Sequence, residues 1–240
     1  MSHEQLVAPS YCTAWSTAQV LSHVGSGAEI FGLILDAGLS GAALPDRAAM
    51  AKVWDIWNAV PAEEQAQKCE GINAAFLDRV DSADEAALDA VHLQLFGMEV
   101  DISQLLAMRL SEHAIHTWDV LVIDDASSVL PADAVALMVG GLERMAARAG
   151  KADGSQFDVQ ITSTHPERVW RLSVSEAVRL TSGDRDEGRQ APNATTLTMP
   201  TESLIRLLYG RLDPGHAPAS ISMSTDAVDL NQLRAVFPGV

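Results

Sequence analysis

The sequence predicts a helical bundle followed by a small α+β domain. Three observations carry that expectation. Up to Gly150, apolar residues recur at three- and four-residue steps, the period of helices. From Phe157 they alternate with polar residues in the two-residue period of strands. Between the two lies GKADGSQ, a short glycine-containing polar run that reads as a linker. The domains are accordingly placed at 1–152 and 153–240.

Residues 16 to 38 begin the helical part with a marked start. Ser16 is an N-cap, Gln19 follows three residues later as in a capping box, and Trp15 is placed to staple onto Val20. Val20, Val24, Gly27, Phe31 and Ile34 then form one apolar stripe, with His23 at its edge. The glycines and proline of AGLSGAALPD end this helix. RAAMAKVWDIWNAV gives a second helix. Pro61 opens a third, PAEEQAQKCEGINAAFLDRV, in a first turn where a missing N–H costs no helical bond. Asp101 and Ser103 introduce ISQLLAMRLSEHAIHTWDVLVI, long enough to cross a bundle. LPADAVALMVGGLERMAARAG is a further helix, with Pro131 and Asp133 in its first turn and arginines in its last. The connections suit antiparallel neighbours, so the chain is expected to be almost wholly helical to Gly150. Beyond it, FDVQITSTH, RVWRLSVS, EAVRLTSG, ATTLTMP and ASISMST are expected to form an antiparallel sheet. Two helices accompany it, TESLIRLLYGRL capped by Thr201 and the closing DAVDLNQLRAVF.

Acidic residues outnumber basic ones 32 to 16, for a net charge of −16. Such a surface repels nucleic acid and anionic membranes. A small anionic substrate stays compatible, because one local arginine can reverse the field inside a cleft. Cys12 and Cys69 are far apart and in no metal-like spacing, which fits a reducing cytoplasm. The first residues lack the basic and apolar regions of a signal peptide. No run approaches the roughly 18 consecutive apolar residues of a membrane span. The expected setting is cytoplasmic, and the sequence is equally consistent with a monomer and a homodimer.

One stretch, LSEHAIHTWD at 110–119, sets polar groups into an apolar helix. At 100° per residue, Ile102, Leu105, Leu106, Val120 and Ile123 define one apolar face, and Arg109, Glu112, His113 and His116 fall on or beside it. Met108, Ile115 and Trp118 make the opposite side apolar too, so the helix is internal. Ionisable groups pointing into protein must either pair or bind a cation. Glu112 with His116, four apart, and His113 with His116, three apart, can each present two donors to one point. HAIH does not match the H-E-x-x-H order, so spacing leaves the pair open. Among the remaining histidines His23 is the best placed third ligand, since it lies on another helix of the bundle. An internal salt-bridge network is the plainer alternative.

YCTAWSTAQVLSHV resembles the opening of the mycothiol-dependent maleylpyruvate isomerase family, with Trp15 and His23 keeping its eight-residue spacing. Thr13 stands where that family often has proline. RLSEHAIHTWDV is similar to the family's second signature, E-x-x-x-H-x-W-D, through Glu112, His116, Trp118 and Asp119. The resemblance implies a DinB-like four-helix bundle, with a second domain similar to sterol-carrier-type domains. It implies that His23, Glu112 and His116 hold one divalent metal, usually zinc, with His113 a neighbour. It further implies that mycothiol, bound there as its thiolate, attacks an electrophilic small-molecule substrate, in thiol S-transfer or in maleylpyruvate cis–trans isomerisation. Arg211, in LLYGRL, resembles an arginine that reaches the active site from the second domain in these isomerases. Arg109, one turn before Glu112, is a further cation for an anionic substrate, or else the partner of a buried salt bridge to Glu112. Asp119 is placed to orient a histidine, and Trp118 to pack. The rival function is a non-catalytic, metal-containing binding protein with an apolar-ligand site in the second domain.

Overall fold

The structure, a computed structural model, describes residues 1–95, 97–152, 154–183, 195–224 and 227–239. It divides into two compact units, Met1–Ser128 and Val129–Val240. The helical region followed by a sheet-containing α+β region is the order the sequence predicts.

The first unit contains α1 (His3–Val7), α2 (Thr17–Ser40), α3 (Arg47–Asn58), α4 (Ala62–Asp81), α5 (Glu85–Asp89) and α6 (Ile102–Leu121). α2 is its hub and packs against α3, α4 and α6. The capping box read from the sequence is present: Ser16 Oγ accepts the Gln19 N–H at 3.2 Å, and Gln19 Oε1 accepts the Ser16 N–H at 2.8 Å. Gly41, at φ 69°, ends α2 in the left-handed region. Asp101 caps α6 in a second box with Gln104. Pro61 stands one residue before α4, at the cap position rather than in the first turn.

Val20, Val24, Ala28, Ile34, Leu35, Val53, Trp57, Phe76 and Leu105 form the core between these helices. α2 is long and apolar enough to cross a membrane, but 61% of its most apolar window is buried within the protein, as in a core helix. Its approach to α3 is close. A Cβ on Gly25 would lie 2.2 Å from the Trp57 ring, whose Nε1–H donates to Glu29 Oε2 at 2.7 Å.

Two strands interrupt the stretch that was expected to be almost wholly helical. β1 (His92–Leu95) and β2 (Met98–Asp101) form an antiparallel hairpin, with Gly97 at φ 78° in its turn. Val91, Leu93 and Leu95 are buried while His92 and Gln94 are exposed, a two-residue alternation too brief to stand out beside long helical stripes.

The second unit comprises α7 (Ala132–Met138), α8 (Leu142–Ala149), β3 (Phe157–Thr164), β4 (Arg168–Val174), β5 (Val178–Gly183), β6 (Thr195–Pro200), α9 (Thr201–Leu208), β7 (Ser222–Met223) and α10 (Leu230–Val236). The helix expected over 131–150 is broken into α7 and α8 by a 3-10 turn at Val139–Gly141, where two glycines adjoin. α8 packs on β5 and α9, and α7 packs on α9. A Cβ on Gly150 would meet Val178 at 2.5 Å. Residues 129–150 therefore belong with the sheet, and the division falls at 128/129 instead of the expected 152/153. An amphipathic helix does not state in its own sequence which neighbour will cover its apolar face.

The sheet order is β5-β4-β3-β6-β7. β3 pairs antiparallel with β4 but parallel with β6, so the sheet is mixed rather than antiparallel throughout. Of the expected strand ASISMST, Ser222–Met223 pairs with β6. Thr201 is the first helical residue of α9 rather than its cap, and its hydroxyl donates to the Pro166 carbonyl at 2.8 Å. Arg206 of α9 is 2% exposed and satisfied at all three nitrogens. Nε and Nη2 donate to the two Glu202 carboxylate oxygens at 2.7 and 3.0 Å, and Nη1 donates to the carbonyls of Arg211 at 3.2 Å and His216 at 2.9 Å.

Candidate metal centre

Glu112 and His116 stand one turn apart on α6, and α2 brings His23 to them. His23 Nε2 lies 3.2 Å from Glu112 Oε2, and His116 Nε2 lies 3.7 Å from the same oxygen. The His23 and His116 rings meet edge-on with centroids 4.6 Å apart. One donor atom from each of the three residues lies within 4.8 Å of the others. Bonds of about 2.1 Å to a tetrahedral ion would give donor–donor edges of about 3.4 Å. Two imidazole nitrogens and a carboxylate oxygen at these separations fit such an ion. The His116 side chain is 12% exposed, that of His23 33% and that of Glu112 47%, so the set opens to solvent with His116 innermost. His113 is exposed and belongs to no metal-sized group of donors among the described residues.

His116 is held from behind. Its Nδ1 lies 2.8 Å from Oδ2 of Asp119, a wholly buried carboxylate. With the proton on Nδ1, that bond leaves the Nε2 lone pair directed at Glu112 and His23. The orienting role expected for Asp119 thus has its geometry. Trp118 packs as expected, 2% exposed, with its Nε1–H donated to the Ser128 carbonyl at 2.8 Å.

A closed turn before α2 supplies two further contacts. Pro9 and Ser16 form a bridge across it, and Trp15 N–H donates to the Cys12 carbonyl at 2.7 Å. The buried Ser10 hydroxyl donates to the carbonyls of Cys12 at 3.1 Å and Trp15 at 2.9 Å. Tyr11 N–H donates to the Asp119 carbonyl at 3.2 Å, and the Tyr11 ring meets Trp118 edge-on at 4.9 Å. So tethered, Cys12 Sγ donates to Asp119 Oδ2 at 3.1 Å. Trp15, read as a staple for Val20, lays its ring 5.1 Å from that of His23 and 6.3 Å from that of His116. Sequence reasoning missed the roles of Cys12 and Trp15 at this centre. Their only signal was their place in the YCTAW turn, and the thiol's partner is 107 residues away.

Arg109 lies 5% exposed, one turn before Glu112. Its Nη2 donates to the Val24 carbonyl at 3.2 Å and to Asn73 Oδ1, while Nη1 has no hydrogen-bond partner. The salt bridge to Glu112 that was one alternative is not formed, because Glu112 turns to His23. The guanidinium still acts on its surroundings. Burial pushes the Glu112 carboxyl up, but the His23 hydrogen bond and the charges of His116, His23 and Arg109 together hold it below the usual carboxylate value. Burial raises the Cys69 thiol despite the nearby Arg109. Arg211 belongs to the second unit, where it is buried and its Nη1 donates to the Tyr209 carbonyl at 2.6 Å.

The family model described as the mycothiol maleylpyruvate isomerase N-terminal domain matches residues 1–121, a span that ends with α6 and includes all three donor residues. Among solved structures, the chain is similar to a crystal structure of the mycothiol-dependent maleylpyruvate isomerase and to one of a histidine-to-alanine mutant of it. In each case the TM-score is 0.66 and the identity 14%, over 95% of this chain and 86% of the other. At that identity the likeness establishes the fold. No curated protein matches the chain by sequence.

Proposed function

The chain belongs to the mycothiol maleylpyruvate isomerase N-terminal domain family, and on that premise we propose that it is a metal-dependent enzyme using mycothiol as cosubstrate. His23, Glu112 and His116 hold a divalent ion, zinc first. The observation that carries this reading is the convergence of two nitrogens and one oxygen within 4.8 Å, backed by a buried aspartate on the innermost histidine. A divalent ion there would supply the positive charge that keeps a bound thiol as its nucleophilic thiolate at neutral pH. The mycothiol sulfur would then attack an electrophilic small molecule, either displacing its leaving group or adding across its conjugated double bond. The outcome is thiol S-transfer or, where the adduct rotates and eliminates, cis–trans isomerisation of the maleylpyruvate kind.

The chain's own residues prepare that step. Asp119 fixes the proton on His116 Nδ1 and so keeps Nε2 a donor. Glu112 stays ionised because the cationic and hydrogen-bonding groups around it outweigh the effect of burial. Trp15 shields the two imidazoles with an apolar ring. Arg109, with its Nη1 unpartnered, biases the region towards an anionic substrate. Arg211 is assigned a share in binding such a substrate on the resemblance of its LLYGRL setting. The reducing cytoplasm is the compartment that suits this thiol chemistry.

The test begins with the metal content of the purified protein. The zinc-loaded protein is then incubated with mycothiol and a panel of electrophiles including maleylpyruvate, with thiol loss and isomerisation followed. Turnover is expected, and both metal retention and turnover are expected to vanish in Glu112→Gln and His116→Ala. Absence of a stoichiometric ion, or activity that survives Glu112→Gln, would overturn the reading. Binding of mycothiol without turnover of any electrophile would make the chain a binding protein.

A further inference from the structure

Resting on that metal reading, we propose that Cys12 is a positioning residue of the centre, its thiol holding the Asp119 carboxylate in the orientation that aims His116. Three links form one line: Cys12 Sγ to Asp119 Oδ2 at 3.1 Å, the same oxygen to His116 Nδ1 at 2.8 Å, and His116 Nε2 to Glu112 Oε2 at 3.7 Å. The middle member is wholly buried, so no bulk water is at hand to replace a donor taken from it. A buried acceptor that loses a donor bears a desolvation cost and turns towards whatever donor remains. Here that turn would rotate the carboxylate about His116 Nδ1 and shift the direction of Nε2. The thiol is itself fixed, because the turn that carries it is closed by the Ser10 hydroxyl and tied to α6 through the Tyr11 N–H. The donor therefore comes from a preformed loop.

A rival assignment exists for the same atoms. Cys12, His116 and Asp119 also present donor atoms within 4.8 Å of one another, as a metal set would. Filling that set would break the Asp119–His116 bond and leave His23 and Glu112 outside it. Filling the His23–Glu112–His116 set gives up only the His23–Glu112 hydrogen bond and keeps the Cys12–Asp119–His116 contacts in place, so the geometry points to the thiol as a prop and not a ligand.

The test compares wild type, Cys12→Ala, Cys12→Ser and Asp119→Asn as apoproteins. Zn²⁺ is titrated in competition with a chromophoric chelator, and Co²⁺ is followed by its visible and near-ultraviolet absorption. Asp119→Asn is expected to weaken Zn²⁺ binding about 10- to 100-fold, as for loss of an outer partner of a ligating histidine. Cys12→Ala is expected to weaken it about 3- to 10-fold, since a thiol is a weak donor acting on a charged acceptor. Cys12→Ser, which keeps a donor, should recover most of that loss, whereas a merely packing role would be moved equally by both substitutions. Wild-type affinity in Cys12→Ala, or no recovery in Cys12→Ser, overturns the proposal. So does a sulfur-to-cobalt charge-transfer band in wild type that Cys12→Ala abolishes, which would make the thiol a ligand. If wild type itself binds no metal, the metal reading fails; if it binds normally and Cys12→Ala is unchanged, only the role of Cys12 does.

Discussion

Arg206 in the second unit and Arg109 in the first are both nearly excluded from solvent, at 2% and 5% exposure, yet their surroundings are opposite. Arg206 meets a carboxylate through two nitrogens and backbone carbonyls through the third. Arg109 has a carbonyl and an amide oxygen on one nitrogen, no carboxylate bonded to it, and Nη1 left over. The nearest acid in its sequence, Glu112, is engaged by His23 instead. A buried cation closed on every side stabilises a local fold. A buried cation left short sits where a neighbouring carboxylate has been taken for something else, and here it borders the candidate metal centre.

That contrast can be broken by substitution. The largest effect is expected for Arg206→Met, which strands the Glu202 carboxylate and two carbonyls and should cost about 3–5 kcal/mol in chemical denaturation. Zn²⁺ affinity should stay at the wild-type value. If Arg206→Met unfolds no more easily than wild type, closure of its contacts does not stabilise the second unit. Next is the stabilisation gained from metal: Zn²⁺ at about 100 times its Kd should raise stability by about 2.7 kcal/mol. That gain should disappear in Glu112→Gln while the metal-free melting temperature changes little. A metal-dependent gain that persists in the variant would remove Glu112 from the ligand set. Smaller still is Arg109→Met, expected to change stability by no more than about 1 kcal/mol, because an incompletely satisfied charge gives way to an apolar side chain of similar length. A loss as large as that of Arg206→Met would erase the distinction between the two arginines.

The smallest effect concerns pH. Glu112 is held below its ordinary value of 4.5, so its contribution to the metal-free fold is present above that value and is lost as pH falls through the lower folded one. Arg109→Met removes one of the charges that lower it. Acid unfolding attributable to Glu112 should therefore begin at a higher pH in the variant, read from melts between neutral pH and pH 3. An unchanged acid limb would show that Arg109 does not act on this carboxyl.

The readable and unreadable parts of this molecule differ in the range of the interactions that decide them. Ser16 with Gln19, and Glu112 with His116, are contacts within one or two turns; a helical period finds the first and brings the second into view, but the choice of Glu112 over His113 as the partner of His116 came from the resemblance. His23 needed more than period: its place on another helix made it the best placed third ligand, and the resemblance joined it to Glu112 and His116 in particular. The Cys12–Asp119 bond joins residues 107 positions apart through a loop with no period at all. The hairpin at 92–101 was hidden by its brevity. The unit boundary was hidden because α7 and α8 look in sequence like any helix of the bundle, and only packing on β5 and α9 assigns them to the sheet. The parallel pairing of β6 with β3 escaped for the same reason, since alternation gives a strand its two faces but not its neighbour.

Gly25 gives the bundle a mechanical index. His23 and Gly25 are two residues apart, so they lie about 200° around α2 and face nearly opposite ways. On the Gly25 side the bare backbone seats against the Trp57 ring like a flat milled on a shaft, while on the other side the shaft carries an imidazole. Any side chain at 25 would turn or push the shaft, and the displacement would be felt across the helix, at the arm bearing Nε2. The angular setting of His23 is thus kept by a surface it never touches, and a bulky residue at 25 would detune the centre without altering one of its donors.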